Sequence, residues 1–163
     1  MLEFIECRIG DWPRLRLIAS TVGLRGVEFE HAKPMPAQGN AENPLLREAE
    51  QQLRAYFSGD LRQFQLPFDL QGTPFQLRVW NELLRIPFGE TRSYAQLAES
   101  VGSAKAVRAV GAANGANPAA IVVPCHRVIG SSGKLVGYGG GLPLKRRLLE
   151  LEGISCKMDL RPT

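Results

Sequence analysis

No apolar run in the chain approaches the roughly 20 residues that a membrane span requires. The opening stretch MLEFIECRIG carries glutamates where a secretory leader would carry positive charge and then an unbroken apolar core. A cytoplasmic protein with no membrane partner is the expectation. Cysteine is scarce: Cys7, Cys125 and Cys156 form an odd set without CxxC spacing, which argues against a disulfide framework and against a sequence-local zinc site. Each thiol is then either inert core or reactive. Histidine is scarcer still, with only His31 and His126. The glycine-rich run GYGGG at 137–141 lacks the spacing of nucleotide-binding loops, so phosphate cradling is a weak reading of it.

What is present suits a globular chain with a real core: 163 residues, 44% of them hydrophobic. Charge is unevenly spread. Residues 1–74 hold 8 Arg and Lys against 10 Asp and Glu, whereas residues 75–163 hold 12 against 6. Basic character is thus confined to the second half, where it favours a polyanion such as nucleic acid, with generic solubilising charge as the alternative.

Before Asn40, the short β-leaning runs MLEFIECRI, RLRLIAS and VGLRGVEFE are separated by Gly, Pro and Asp and read as a small antiparallel sheet. From Pro44 the period changes to helical, with Leu45, Leu46, Ala49, Leu53, Tyr56 and Phe57 in phase until Ser58–Asp60. FQLPFDL reads as extended, and a linker at about 69–74 divides an N-terminal domain, 1–70, from a C-terminal domain, 75–163. The second half opens with Thr73 as N-cap and Pro74 at the first helical position, followed by Phe75, Val79, Leu83 and Ile86 on one face. Ser93 and Gln96 have capping-box spacing and start a helix that ends at Gly102. Ser103 is placed to cap a second helix, AKAVRAVGAANGAN, and two short helices across a tight turn read as a helix-turn-helix. That second helix is built of small residues from which Arg108 projects. It suits close approach to DNA, or else it is an alanine-rich core helix with two solvated charges. The fold class is α/β in the α+β sense: a small sheet with a helix, then a mostly helical part containing the helix-turn-helix.

The chemistry centres on IVVPCHRVIG, Ile121 to Gly130, where Cys125 stands beside His126. A cysteine becomes a nucleophile when a neighbour lowers its pKa from about 8.5. On an extended strand successive side chains point to opposite faces, so a direct Cys125–His126 hydrogen bond needs a turn, for which Pro124 is placed, or a bridging water. A histidine base also needs a third group to fix its tautomer. Glu152 is the candidate, because a carboxylate in the last turn of PLKRRLLELE faces the unfavourable end of the helix dipole; the alternative is a solvated glutamate pairing with Lys145 or Arg146. Tyr138, in the glycine-rich run, offers an aromatic face to a planar ligand, or the run is a plain turn.

Together these residues resemble the O6-alkylguanine-DNA alkyltransferase family, also called methylated-DNA–protein-cysteine methyltransferases. The likeness rests on Pro124-Cys125-His126-Arg127 between apolar flanks, with RVWNELLRIPFGETRSYAQLA (78–98), AVRAVGAANGANP (106–118), SSGKLVGYGGG (131–141) and LLELEG (148–153) around it. It covers about residues 44–153. It implies that Cys125 takes the alkyl group from O6 of guanine irreversibly, one lesion per molecule, after His126 removes its proton through water with Glu152 behind it. It implies that Tyr94 helps rotate and hydrogen-bond the base, that Arg108 enters from the minor groove to fill the gap, and that Asn117 is a hinge between helix and active-site segment. Cys125, Val128, Ser131, Tyr138, Gly139 and Gly140 would line the base pocket. The partner would be double-stranded DNA bearing O6-alkylguanine, with O4-alkylthymine open as a second substrate; no cofactor is expected, and a monomer in solution is. Some relatives carry a structural zinc, but Cys7 and His31 are too few for a tetrahedral site, so no metal is expected. Gly139 stands where some relatives have Ser, a difference bearing on bulky alkyl groups. Non-catalytic relatives replace the nucleophile; with Cys125 present, activity is expected, and a DNA-binding lesion sensor or a thiol hydrolase are the competing readings.

Overall fold

A computed structural model describes residues 1–156. The described residues form two compact units, Met1–Gln71 with Pro118–Val122, and Gly72–Asn117 with residues 123–156.

In the first unit, β1 (Glu3–Cys7), β2 (Leu15–Ala19) and β3 (Leu24–Phe29) pair antiparallel, and β4 (Gln38–Gly39) adds a parallel edge, giving the order β3-β2-β1-β4. The three β-leaning runs are the antiparallel strands expected. The fourth was not, because Gln38 and Gly39 are exposed and pair through backbone alone, with Gln38 N–H on Leu2 O at 2.9 Å and Asn40 N–H on Phe4 O at 3.0 Å. Helix α1 (Pro44–Phe57) starts where the Asn43 side chain accepts from Leu46 N–H and buries Leu46, Ala49, Leu53, Tyr56 and Phe57. The FQLPFDL segment is extended but makes only an isolated bridge, Leu24 to Phe68. Pro67 lacks the N–H that would continue a ladder. Asp69 fastens the segment, accepting from Ser20 Oγ at 2.6 Å and Arg25 Nη2 at 2.8 Å. The excursion of Pro118–Val122 into this unit is made by the Val27 N–H to Pro118 O bond, 2.9 Å, and a bridge to Ala119. Within it Ile121 has φ 73, and Val122 N–H returns to Ala120 O at 2.8 Å. This is the left-handed γ-turn, rare for any residue and strained for a β-branched one.

In the second unit, α2 (Pro74–Leu83) begins with a complete capping box between Thr73 and Gln76, and α3 (Tyr94–Ser100) with one between Ser93 and Gln96. Ile86 lies beyond α2, in the turn leading to Pro87. Helix α4 (Val107–Gly115) starts later than expected, and Ser103 does not cap it. Residues 103–106 close a turn instead, with Ala106 N–H on Ser103 O at 2.7 Å, and Ala106 takes the N-cap position without a side-chain bond. Helices α3 and α4 pack together as the helix-turn-helix, and Trp80 of α2 donates from Nε1 to Ala113 O at 2.8 Å. Strands β5 (Arg92–Ser93) and β6 (Val128–Ile129) and helix α5 (Leu142–Leu151) complete the unit.

Gly23, between β2 and β3, has no room for a side chain: a Cβ there would sit 2.7 Å from Phe68 C, 2.8 Å from Pro67 O and 2.9 Å from Phe68 N. All three are backbone atoms and cannot step aside. Gly23→Ala is expected to destabilise the protein by about 1–3 kcal/mol, read as a lower urea midpoint; an unchanged midpoint would show that the contact yields freely.

Candidate active site

The candidate nucleophile, Cys125, sits on a turn. Pro124 has φ −82 and ψ 62, with Cys125 N–H on Val123 O at 2.8 Å, an inverse γ-turn. Cys125–Arg127 then form a single 3-10 turn closed by Arg127 N–H on Pro124 O at 3.0 Å. In such a turn adjacent side chains point about 120° apart, so Cys125 and His126 diverge even off a strand. The chain leaves as β6, which pairs parallel with β5 in the register Arg92 to Val128 and Ser93 to Ile129. Because Ser93 also caps α3, this pairing sets Tyr94, the first residue of α3, against the cysteine segment.

Glu152, at the C-cap of α5, is the hub of the buried polar groups. Its Oε2 accepts from His126 Nε2 at 2.7 Å and from Arg127 Nη2 at 3.1 Å, while Oε1 accepts from Arg127 Nε at 2.8 Å and from Gly89 N–H at 3.1 Å. Arg127 donates its Nη1 to Ile86 O at 2.7 Å. Burial works against the carboxylate, yet hydrogen bonds and charge from His126 and Arg127 outweigh it and hold the Glu152 carboxyl at about 2. Burial pushes the His126 pKa down, and the Glu152 bond recovers only part of that. His126 is therefore a neutral imidazole that donates from Nε2, which leaves Nδ1 as its basic nitrogen.

Burial raises the Cys125 pKa, opposed by a hydrogen bond from Asn117 and by the charge of Lys145. At rest it is a thiol. Asn117 also donates Nδ2 to Val123 O at 2.7 Å, so one side chain grips both ends of the inverse γ-turn. Lys145 is fully buried and its Nζ donates to Val136 O at 3.2 Å and Gly137 O at 3.1 Å, 5.9 Å from the centre of the Tyr94 ring. Burial brings its pKa down to about 8. Tyr94 Oη donates to the same Val136 O at 2.9 Å. These bonds hold the loop 130–141 over a groove of about 450 Å³ lined by Tyr94, Ala95, Val107, Gly111, Ser131, Val136 and Gly137.

Cys125, His126, Glu152, Tyr94 and Asn117 thus come together, with Val128 buried beneath them. Ser131 reaches the groove, but the glycine-rich loop lines it with Val136 and Gly137 rather than with Tyr138, Gly139 or Gly140. A Cβ at Gly139 would meet nothing within 4 Å. Arg108 is exposed near the start of α4, next to the exposed Val107. Cys7 is a buried strand thiol whose pKa burial raises to about 11. Three polar residues of the site escaped the sequence reading: Arg127, Asn114 and Lys145. For Lys145 a signal existed, since it falls in the buried stripe of α5 with Leu144, Leu148 and Leu149.

Residues 74–154 match the family model described as the DNA-binding domain of 6-O-methylguanine DNA methyltransferase, and residues 3–70 match the ribonuclease-like domain of the same protein. A methylated-DNA–protein-cysteine methyltransferase of Mycobacterium leprae is 62% identical over 152 residues, covering 91% of this chain and 92% of its own. The crystal structure of the Mycobacterium tuberculosis O6-methylguanine methyltransferase superposes with a TM-score of 0.85 at 46% identity, covering 93% of both chains. A second Mycobacterium tuberculosis structure, in complex with DNA, superposes at 0.82 with 48% identity, covering 93% of this chain and 91% of that one. A buried cysteine on a turn, a histidine–glutamate pair and an adjoining helix-turn-helix thus sit in a chain whose two halves both match one family: it belongs to the methylated-DNA–protein-cysteine methyltransferases.

Proposed function

We propose that this protein repairs DNA by moving the alkyl group of O6-alkylguanine from duplex DNA onto its own Cys125, once per molecule. The observation that carries the reading is the buried Cys125 thiol on the same turn as the neutral, Glu152-bound His126. His126 takes the thiol proton through a water, because the two adjacent side chains diverge. The sulfur then attacks the alkyl carbon in line, the carbon–oxygen bond breaks, and its electron pair goes to guanine, whose developing charge the Tyr94 hydroxyl neutralises. Lys145 and the Asn117 amide stabilise the thiolate. Glu152 stays ionised throughout, stabilising the imidazolium that forms.

An alkylated O6 inside a duplex is unreachable, so the base must leave the stack at a cost of a few kcal/mol. In this reading α4 docks in the minor groove, its small residues allowing close approach, and Arg108 fills the space the base vacates. The protein acts as a monomer, with the first 70 residues forming a separate domain from the DNA-binding part.

Incubation with a duplex containing O6-methylguanine is expected to leave one methyl group on Cys125 and no further turnover, while Cys125→Ser binds the duplex without transfer. Binding without protein methylation would turn the assignment to a lesion sensor. Arg108→Ala is expected to slow repair of the duplex by about tenfold or more while leaving reaction with free O6-methylguanine base nearly unchanged; equal loss on both would overturn the stack-filling role.

The pH profile follows from two lowered pKa values. His126 lies below its ordinary 6.5, so it is neutral and able to accept a proton down to lower pH than a free histidine. Lys145 loses its charge at about 8. The rate of methyl transfer is expected to rise out of acid with a midpoint below 6.5 and to fall again above about 8. An acid midpoint above 6.5 would remove His126 from the role of base.

A further inference from the structure

Asn114 lies in the last turn of α4 and is more than nine-tenths buried. Its Nδ2 makes a long contact of 3.5 Å with Cys125 O and also reaches the Tyr94 hydroxyl. Both neighbours call for a donor: Cys125 O is a carbonyl, and the Tyr94 hydroxyl already gives its proton to Val136 O. This fixes the amide's orientation, since rotating it would set two acceptors against each other. Its Oδ1, held beside Nδ2 by covalent geometry, is buried and has no hydrogen-bond partner among the described residues. A buried acceptor left unmatched is costly, and few are kept in a folded core without a reason.

The substrate supplies one. Alkylation of O6 locks the purine in a form whose N1 carries no hydrogen, so N1, N3 and N7 are all acceptors. The only hydrogen-bond donor left on the base is the exocyclic 2-amino group, which has two N–H bonds. An unmatched acceptor beside the carbonyl of the reactive cysteine is complementary to that group and to no other on the base.

We propose that Asn114 is a specificity-determining residue whose Oδ1 accepts a hydrogen bond from the 2-amino group of the flipped O6-alkylguanine. The inference rests on the alkyl-transfer reading. In the free protein the amide braces Cys125 O and Tyr94 with its donor side; with the base in place its acceptor side is used too. An O6-alkylated purine lacking the 2-amino group leaves Oδ1 unmatched and reacts more slowly.

The test compares two duplexes, one with O6-methylguanine and one with O6-methylhypoxanthine, which differ only in the 2-amino group. Single-turnover methylation of Cys125 is measured for the wild-type protein and for Asn114→Leu. The wild-type protein is expected to prefer O6-methylguanine by about tenfold, the scale of one hydrogen bond. Asn114→Leu, similar in size but apolar, is expected to lose most of that preference. Because each protein is judged by its own ratio of rates, general damage to the fold cancels. An equal ratio in wild type and Asn114→Leu, or no preference in the wild-type protein, overturns the assignment. Absence of methylation by the wild-type protein on either duplex would instead overturn the alkyl-transfer reading itself.

Discussion

A carboxylate buried at the end of a helix is the constraint around which the second unit is arranged. Taking Glu152 out of water costs several kcal/mol, and the C-terminal end of α5 adds an unfavourable dipole. The protein meets this with four donor contacts: Gly89 N–H, Arg127 Nε and Nη2, and His126 Nε2. They come from the turn following α2 and from the 3-10 turn, so one charged group fastens three segments distant in sequence. Arg127 extends the reach by bonding Ile86 O. Breaking such a set at any one partner would strand a buried charge, and the arrangement is accordingly specific in geometry whatever its net contribution to stability.

The same network decides the protonation state of the site. Pairing with Glu152 draws His126 toward the imidazolium form, and burial draws it the other way and prevails. Arg127 supplies the positive charge that the carboxylate requires, through two hydrogen bonds of its own. Burial, and to a lesser degree the charge of Arg127, keeps His126 neutral while it donates to Glu152. Cys125 is held back in parallel, since burial outweighs Asn117 and Lys145 and keeps the sulfur protonated. A low-pKa thiolate open to solvent is prone to oxidation; a buried thiol is quiet until a base takes its proton.

Much of this was legible in the residues. The capping boxes at Thr73–Gln76 and Ser93–Gln96, the change of period at Pro44 and the pairing of three β-leaning runs are local signals, and local signals carry over to the fold. The turn at Pro124 was anticipated from the proline and from the difficulty of facing neighbours across a strand. Failures occurred where tertiary context overrode the local pattern. Ser103 has the right identity for an N-cap, but the chain spends residues 103–106 on a turn. β4 has no side-chain pattern at all. Ile121 is the reverse case: β-branched residues favour extended backbone, yet this one is left-handed and buried. Lys145 and Asn114 sit among apolar or small residues on helices, where charge and amide are ordinarily assigned to solvent.

These exceptions are of one physical kind. Ile121 carries backbone strain of about 1–3 kcal/mol. Lys145 places an ammonium in the interior against two carbonyls and an aromatic face, and Asn114 keeps an acceptor there unmatched. Each violates a rule that the helices around it obey, and each lies within a few residues of Cys125 in the chain or in contact with the groups around it. A leucine at position 145 would complete the apolar stripe of α5 and leave Val136 O and Gly137 O without their cation. A leucine at 114 would remove the unmatched oxygen and leave Cys125 O and Tyr94 without their brace. Each replacement would remove one polar group from the interior and strand the acceptors it serves, so neither residue is explained by the pattern of its own helix, and the candidate site lies where sequence and fold disagree.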